Sequence, residues 1–262
     1  MKLYKKFMLL GMSMSMVFAA TACTNNEAQV QNEEVKEETN NNNEDAKENS
    51  NEEGELLQVY EVVENPDLLK DLTGFDADFK TYLDQETIST LLLDTNQSIV
   101  NMIDIYPGKE DPTSLYIYST TKGITDAKLD SYNGSIDLSK FEYTYEIKNN
   151  NASIDSQMKE VDFEYDLLKD VDNSQKKLKE KFEGKKLNAL NEYLNTYSPV
   201  QVFTKKDCDI KIEVYPIVSD IGYTASMALY LVVDKDENIK ELYVDGIYKP
   251  SKEPLKILDS QK

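Results

Sequence analysis

An α+β fold is predicted, with N-terminal helices packed on a mostly antiparallel sheet of about six strands. Three patterns in the 262 residues point to it. Apolar residues first recur at steps of three and four. From Ser114 the period changes to two. Near the C-terminus, three apolar runs of strand length follow one another across short polar breaks.

In chain order, Asn65-Pro66 marks a helix start, with proline in the first turn and the helix running to Leu72. Phe75, Phe79 and Leu83 continue the helical spacing. The longest signal comes next. Ile88, Leu91, Leu92, Thr95, Ile99, Met102, Ile103 and Tyr106 form one apolar stripe, which predicts a helix from Gln85 to Tyr106 ended by Pro107-Gly108. Leu115 to Ser119 reads as a strand apolar on both faces. Ala127 to Tyr132 and the residues after Asn133-Gly134 read as a hairpin.

Phe141, Tyr143, Tyr145 and Ile147 alternate with Glu142, Thr144, Glu146 and Lys148, and Val161, Phe163 and Tyr165 alternate with Asp162 and Glu164. These are half-buried strands. Paired as a hairpin with their apolar faces aligned, they set Glu142 opposite Glu164 and Glu146 opposite Glu160. Asp172 to Tyr197 is a helical stretch divided at Gly184. Strands at Ile210 to Ile217, Tyr223 to Val233 and Ile239 to Tyr248 close the chain, the middle one central. No internal repeat is legible. Helices followed by a mostly antiparallel sheet are similar in order to the NTF2-like cone fold, and the similarity is one of element order alone.

The chain opens with Lys2, Lys5 and Lys6, then an uncharged apolar stretch from Phe7 to Val17, then Ala20-Thr21-Ala22 before Cys23. That order of features is an export signal, and the apolar stretch is short for a membrane span. The quartet Ala20-Thr21-Ala22-Cys23 resembles the lipobox of bacterial lipoproteins, with Ala20 where that family usually has leucine. The resemblance covers residues 1–23. It implies cleavage before Cys23, diacylglyceryl transfer to its sulfur, and anchoring to the outer face of the cell membrane, where two acyl chains hold stably. Residues 1–22 are then signal and 56–262 one extracytoplasmic domain. Between them Thr24 to Glu55 holds eleven acids, two lysines and nine asparagines, a composition that predicts a disordered acidic tether.

The chain contains no histidine, arginine or tryptophan; all 29 basic residues are lysines. Histidine-dependent triads, histidine zinc sites and arginine phosphate forks are therefore excluded. The formal charge of −20 becomes −23 once the three lysines of the signal are removed. Nucleic acid is excluded as a partner, because phosphate backbones are repelled.

Two groups of acids are candidates for chemistry. Asp234, Asp236 and Asn238, with Asp245 at the twelfth place, resemble the opening of an EF-hand loop and would supply oxygens to Ca2+, although Ile239 stands where that loop needs glycine. Glu142 and Glu164 are the second, a carboxylate pair whose mutual repulsion would raise one pKa. Cys208, between two aspartates, is not set up as a thiolate. No other cofactor is expected. The function predicted is a membrane-anchored surface lipoprotein with a non-catalytic binding or envelope-assembly domain and an extracytoplasmic protein partner. The alternatives are a solute-binding lipoprotein of an importer, a carboxylate-based hydrolase and a calcium-dependent module. Brief proteolysis should trim the chain to a stable core beginning near Leu56; protection of residues 24–55 would refute the tether.

Overall fold

The structure, a computed structural model, describes residues 56–109, 112–150, 170–193, 198–217, 227–247 and 249–261. The predicted tether and the predicted strand at 161–165 lie outside them. Three short helices come first: α1 (Val59–Glu64), α2 (Leu68–Thr73) and α3 (Lys80–Leu83). Strands β1 (Ile88–Leu93), β2 (Ile99–Pro107), β3 (Thr113–Thr120), β4 (Gly123–Ser131) and β5 (Tyr145–Asn150) follow. Helices α4 (Val171–Phe182) and α5 (Leu187–Tyr193) lead to β6 (Gln201–Lys205), β7 (Ile210–Ile217), β8 (Met227–Asp234), β9 (Ile239–Gly246) and α6 (Pro254–Ser260).

All nine strands join one antiparallel sheet in the order β4-β3-β2-β1-β5-β6-β7-β8-β9. The α+β class and the antiparallel sheet agree with the sequence; the strand number is nine rather than six. The element order also differs from the NTF2-like one, because helices recur between two strand meanders.

The predicted helix over Gln85–Tyr106 is instead the hairpin of β1 and β2. Both strands lie inside the sheet, with partly or fully buried residues on both faces. Apolar residues therefore occupy both parities, and that density imitates helical spacing. Asp94 to Ser98 make the turn. Asp94 Oδ1 accepts from the backbone N–H of Asn96 at 2.8 Å and of Ser98 at 2.9 Å, and Gln97 takes φ +63°. Such an Asx turn competes with helix locally.

The Asn133-Gly134 hairpin does not form: β4 pairs only with β3, and residues 132–144 return across the sheet outside any strand. The Leu115–Ser119 strand is found as β3, buried from Ser114 to Ser119. The long helical stretch is found as α4 and α5, with Gly184 at φ +79° between them.

Residues paired across strands share a face. Leu115, Tyr106, Asp104, Ser89, Asn149, Gln201, Val214 and Tyr230 therefore share one face, which we call the front. Helices α1–α3 cover the front over β2–β4, where Val62, Leu69, Phe79 and Tyr82 meet Leu115 and Ile117. On the far half, α6 covers the same face, with Leu258 against Ile212, Val214 and Tyr230. The back carries α4 and α5 on Leu229, Leu231 and Val233, and on the near half Ile136, Leu138 and Phe141 on Ile103, Tyr116 and Tyr118.

These placements describe an internal two-fold. Each half runs helices, four-stranded meander, return segment. β1 and β6 are both antiparallel to β5, hence parallel to each other, and the helix blocks of the two halves lie on opposite faces. A rotation of half a turn about the line of β5 satisfies both conditions.

The two outer strands end differently. Along β9, Val244 N–H donates to Gln175 Oε1 at 2.7 Å and Leu242 N–H to Glu183 Oε1 at 3.0 Å, both on or beside α4, and Ile239 N–H donates to the Lys185 carbonyl at 2.8 Å. On β4, Ile124 N–H donates to the Leu57 carbonyl at 2.6 Å. Gly123 is required there: at φ +146°, an added Cβ would sit 2.8 Å from that same carbonyl oxygen.

Two substitutions test the hairpin over 85–106, and the second separates it from a helix. Leu92, fully buried, should lose about 2–5 kcal/mol on Leu92→Ala, read from denaturant unfolding. Gln97→Gly should cost nothing or stabilise, since glycine accepts the left-handed backbone. In a helix the same change would cost about 1 kcal/mol.

Candidate functional site

Polar side chains gather where the two halves meet, over β1, β5 and β6, between the segments that cover each half. Pairing alone sets their order. On the front, Asp104, Ser89, Asn149 and Gln201 stand in one row across four strands. Ser89 Oγ donates to Asp104 Oδ1, and Gln201 Nε2 donates to Asn149 Oδ1 at 2.9 Å. Beside that row runs an apolar one, Met102, Leu91, Ile147 and Phe203. Burial at the sheet centre holds the Asp104 carboxyl above its ordinary range, the Ser89 hydrogen bond only partly offsetting it. Helix α6 closes one end of the row. Its Asp259 accepts from Tyr145 OH at 2.6 Å and from Lys205 Nζ at 2.9 Å, and these two bonds lower its pKa.

The back of the same strands is charged. Glu146 and Lys148 of β5 neighbour Thr204 and Val202 of β6, which neighbour Lys211 and Glu213 of β7. Glu146, 3.4 Å from Thr204 Oγ1, is raised by burial. Glu213 is 5% exposed and is held on two sides, by Lys211 Nζ at 2.8 Å and by Tyr215 OH at 2.6 Å. Lys211 also reaches Glu237 at 3.0 Å. Burial alone would lower the Lys211 pKa, but the hydrogen bonds and charges of Glu213 and then Glu237 outweigh it and hold it raised. The Tyr215 phenol is pushed up by burial and then by the charge of Glu213. A shallow cleft of about 390 Å³ lies alongside, lined by Lys186, Leu187, Asn188, Asn191 and Glu237. Thr90 Oγ1, fully buried next to Lys148 in the row, has no hydrogen-bond partner.

The calcium candidates are not brought together. Asp234 Oδ1 accepts from the backbone N–H of Asp236 at 3.0 Å and of Asn238 at 2.8 Å, closing the β8–β9 turn. This is the turn of Asp94 to Ser98 again, with Glu237 at φ +61° in the place of Gln97 and a bulge after each. Asp245 lies at the other end of the hairpin, opposite Ala228, accepting from Gly246 N–H, Ser251 Oγ and Lys252 N–H at 2.8–3.0 Å. Among the described residues no three acidic or thiol side chains form a metal-sized group.

Of the carboxylate pair, Glu142 is exposed just before β5, and Glu164 lies outside the described residues. The register that joined them is replaced: both edges of β5 are taken, and Glu146 stands between Leu92 and Thr204 rather than opposite Glu160. Cys208 is half-buried in the β6–β7 turn as a free thiol. Lys211, Glu213 and Tyr215 escaped the sequence reading. Their signal was the alternation in Ile210–Pro216, which places all three on one face of a buried strand.

Comparisons with protein-family models, with curated proteins and with solved structures return no match.

The front row gives a pH test. A carboxyl whose folded pKa is raised stabilises the fold below its unfolded pKa and loses that contribution as pH rises through the folded value. Asp104→Asn, which still accepts from Ser89, should therefore melt higher than the parent at pH 7.5. The gap should close near pH 3. An equal gap at both pH values would show that ionisation of Asp104 is not the cause.

Proposed function

We propose that this chain is a lipid-anchored surface protein whose extracytoplasmic domain works by binding and carries no chemistry of its own. The observation that carries this reading is Ala20-Thr21-Ala22-Cys23 directly after a lysine-rich start and an apolar stretch, followed by 32 residues rich in acids and asparagine before Leu56. A spacer of that length spans roughly 30 Å as a flexible chain and more under charge repulsion. It gives a domain the reach to meet partners at the cell envelope.

The seam supports the binding half of the reading. Its carboxylates are held by partners, Glu213 by Lys211 and Tyr215, Asp259 by Tyr145 and Lys205, and Asp104 by Ser89. A charged, shaped surface with its groups already oriented suits recognition.

Mass spectrometry of the N-terminal peptide from membranes tests the anchor. The expected species begins at Cys23 and carries the mass of a diacylglyceryl group. Cys23→Ser should release the chain into the medium. An unmodified Cys23 in the membrane fraction, or a Cys23→Ser chain that stays there, would sink the proposal.

A further inference from the structure

Among the described residues, the large apolar side chains most exposed to solvent are not scattered. Leu56, Tyr60, Val63, Leu72 and Phe75 are 41%, 59%, 36%, 41% and 51% exposed, and all five fall within one stretch of 20 residues. Isolated exposed apolar residues need no explanation; a cluster does. Tyr60 and Val63, three apart, lie on the outer side of α1, with Leu56 just before its cap, while Val62 faces the core. Leu72 lies in the last turn of α2, whose Leu69 is buried, and Phe75 follows directly after its Gly74 cap.

This stretch is held firmly. Gln58 Nε2 donates to the Lys122 carbonyl at 2.6 Å, Gln58 N–H donates to Glu61 Oε2 at 2.7 Å, and Ile124 N–H fixes Leu57 to the sheet. Its surroundings are mainly acidic. Glu61, Glu64, Asp67, Asp71 and Asp76 lie in or next to this stretch, against Lys70, which is ion-paired to Asp67 at 3.1 Å and Asp76 at 3.3 Å, and Lys122 of the adjoining strand turn. We propose that this face of α1 and α2 is a docking surface for a protein partner that offers an apolar recess rimmed by lysine or arginine. Charge selects that occupant. An anionic lipid surface would be repelled by the flanking carboxylates, where membrane-seeking helices carry lysine and arginine. A second copy presents the same acids on a chain of net charge −20. A basic rim is attracted, and the aromatic and aliphatic side chains supply anchors for the recess.

The test uses the full-length chain in the cells that make it, with the photoreactive residue p-benzoylphenylalanine at Tyr60 or Phe75, and at exposed Lys240 as control. The expected result is one protein adduct from both apolar positions and none from Lys240, with the attachment mapped to a partner surface containing lysine or arginine. Full-length chain and partner, both purified, should then bind with an affinity that falls several-fold between low and high NaCl. Tyr60→Ser with Phe75→Ser should weaken that binding at least tenfold while leaving the melting midpoint unchanged. Adducts only with a second copy or with lipid, no adduct at either position, salt-independent binding, or undiminished binding by the double variant would each overturn the proposal. None of these outcomes depends on the modification of Cys23.

Discussion

The whole sheet hangs on β5, a strand of six residues with no free edge. Its pairing to β1 on one side and β6 on the other turns two four-stranded meanders into one nine-stranded sheet. Because both partners run against β5, they run parallel to each other. Residues 151–200, which include α4 and α5, link β5 to its antiparallel neighbour β6, a step that a tight turn could have made. That long connection carries the second helix block, which lies on the back of the sheet, opposite the first.

The seam also explains where polar groups collect. Among the described residues, α1–α3 cover β2–β4 on the front and α4 with α5 cover β8 and β9 on the back, while α6 reaches β5 and β6 through Leu255 and Asp259. Asp104, Ser89, Asn149 and Gln201 on the front, and Glu146, Lys148, Lys211 and Glu213 on the back, occupy the remaining ground, with bonded neighbours at Ser89–Asp104, Asn149–Gln201 and Lys211–Glu213. Removing one partner of a buried pair such as Lys211–Glu213 strands a charge, which makes the row sensitive to single changes.

What was legible in the sequence was the local signal that tertiary packing did not contradict. β3 and β8 were plain from continuous apolar runs, and α4 with α5 from a clear stripe broken by Gly184. The β1–β2 hairpin was misread because burial on both faces erases the period of two. The five letters from Asp94 to Ser98 held the answer as a turn, and Asp234 to Asn238, which folds into the same turn, was taken for metal chemistry. Two copies of one Asx turn are better evidence of backbone architecture than either is of a cation site. β6 was missed because it is five residues long and only half-buried, and its neighbours come from distant parts of the chain. The candidate site shares that origin: Asp104 and Gln201 are 97 positions apart in numbering, and no local pattern could join them.

The closed edge of β9 has a meaning beyond this one molecule. Open-ended fibres grow head to tail, so each subunit must offer two different sticky ends. Here one end has its outward amides at Leu242 and Val244 already satisfied by Gln175 and Glu183. Any meeting through β4 can therefore join two molecules and go no further, so polymerisation is blocked at one terminus. A single capped edge is enough to keep edge-to-edge pairing from running on.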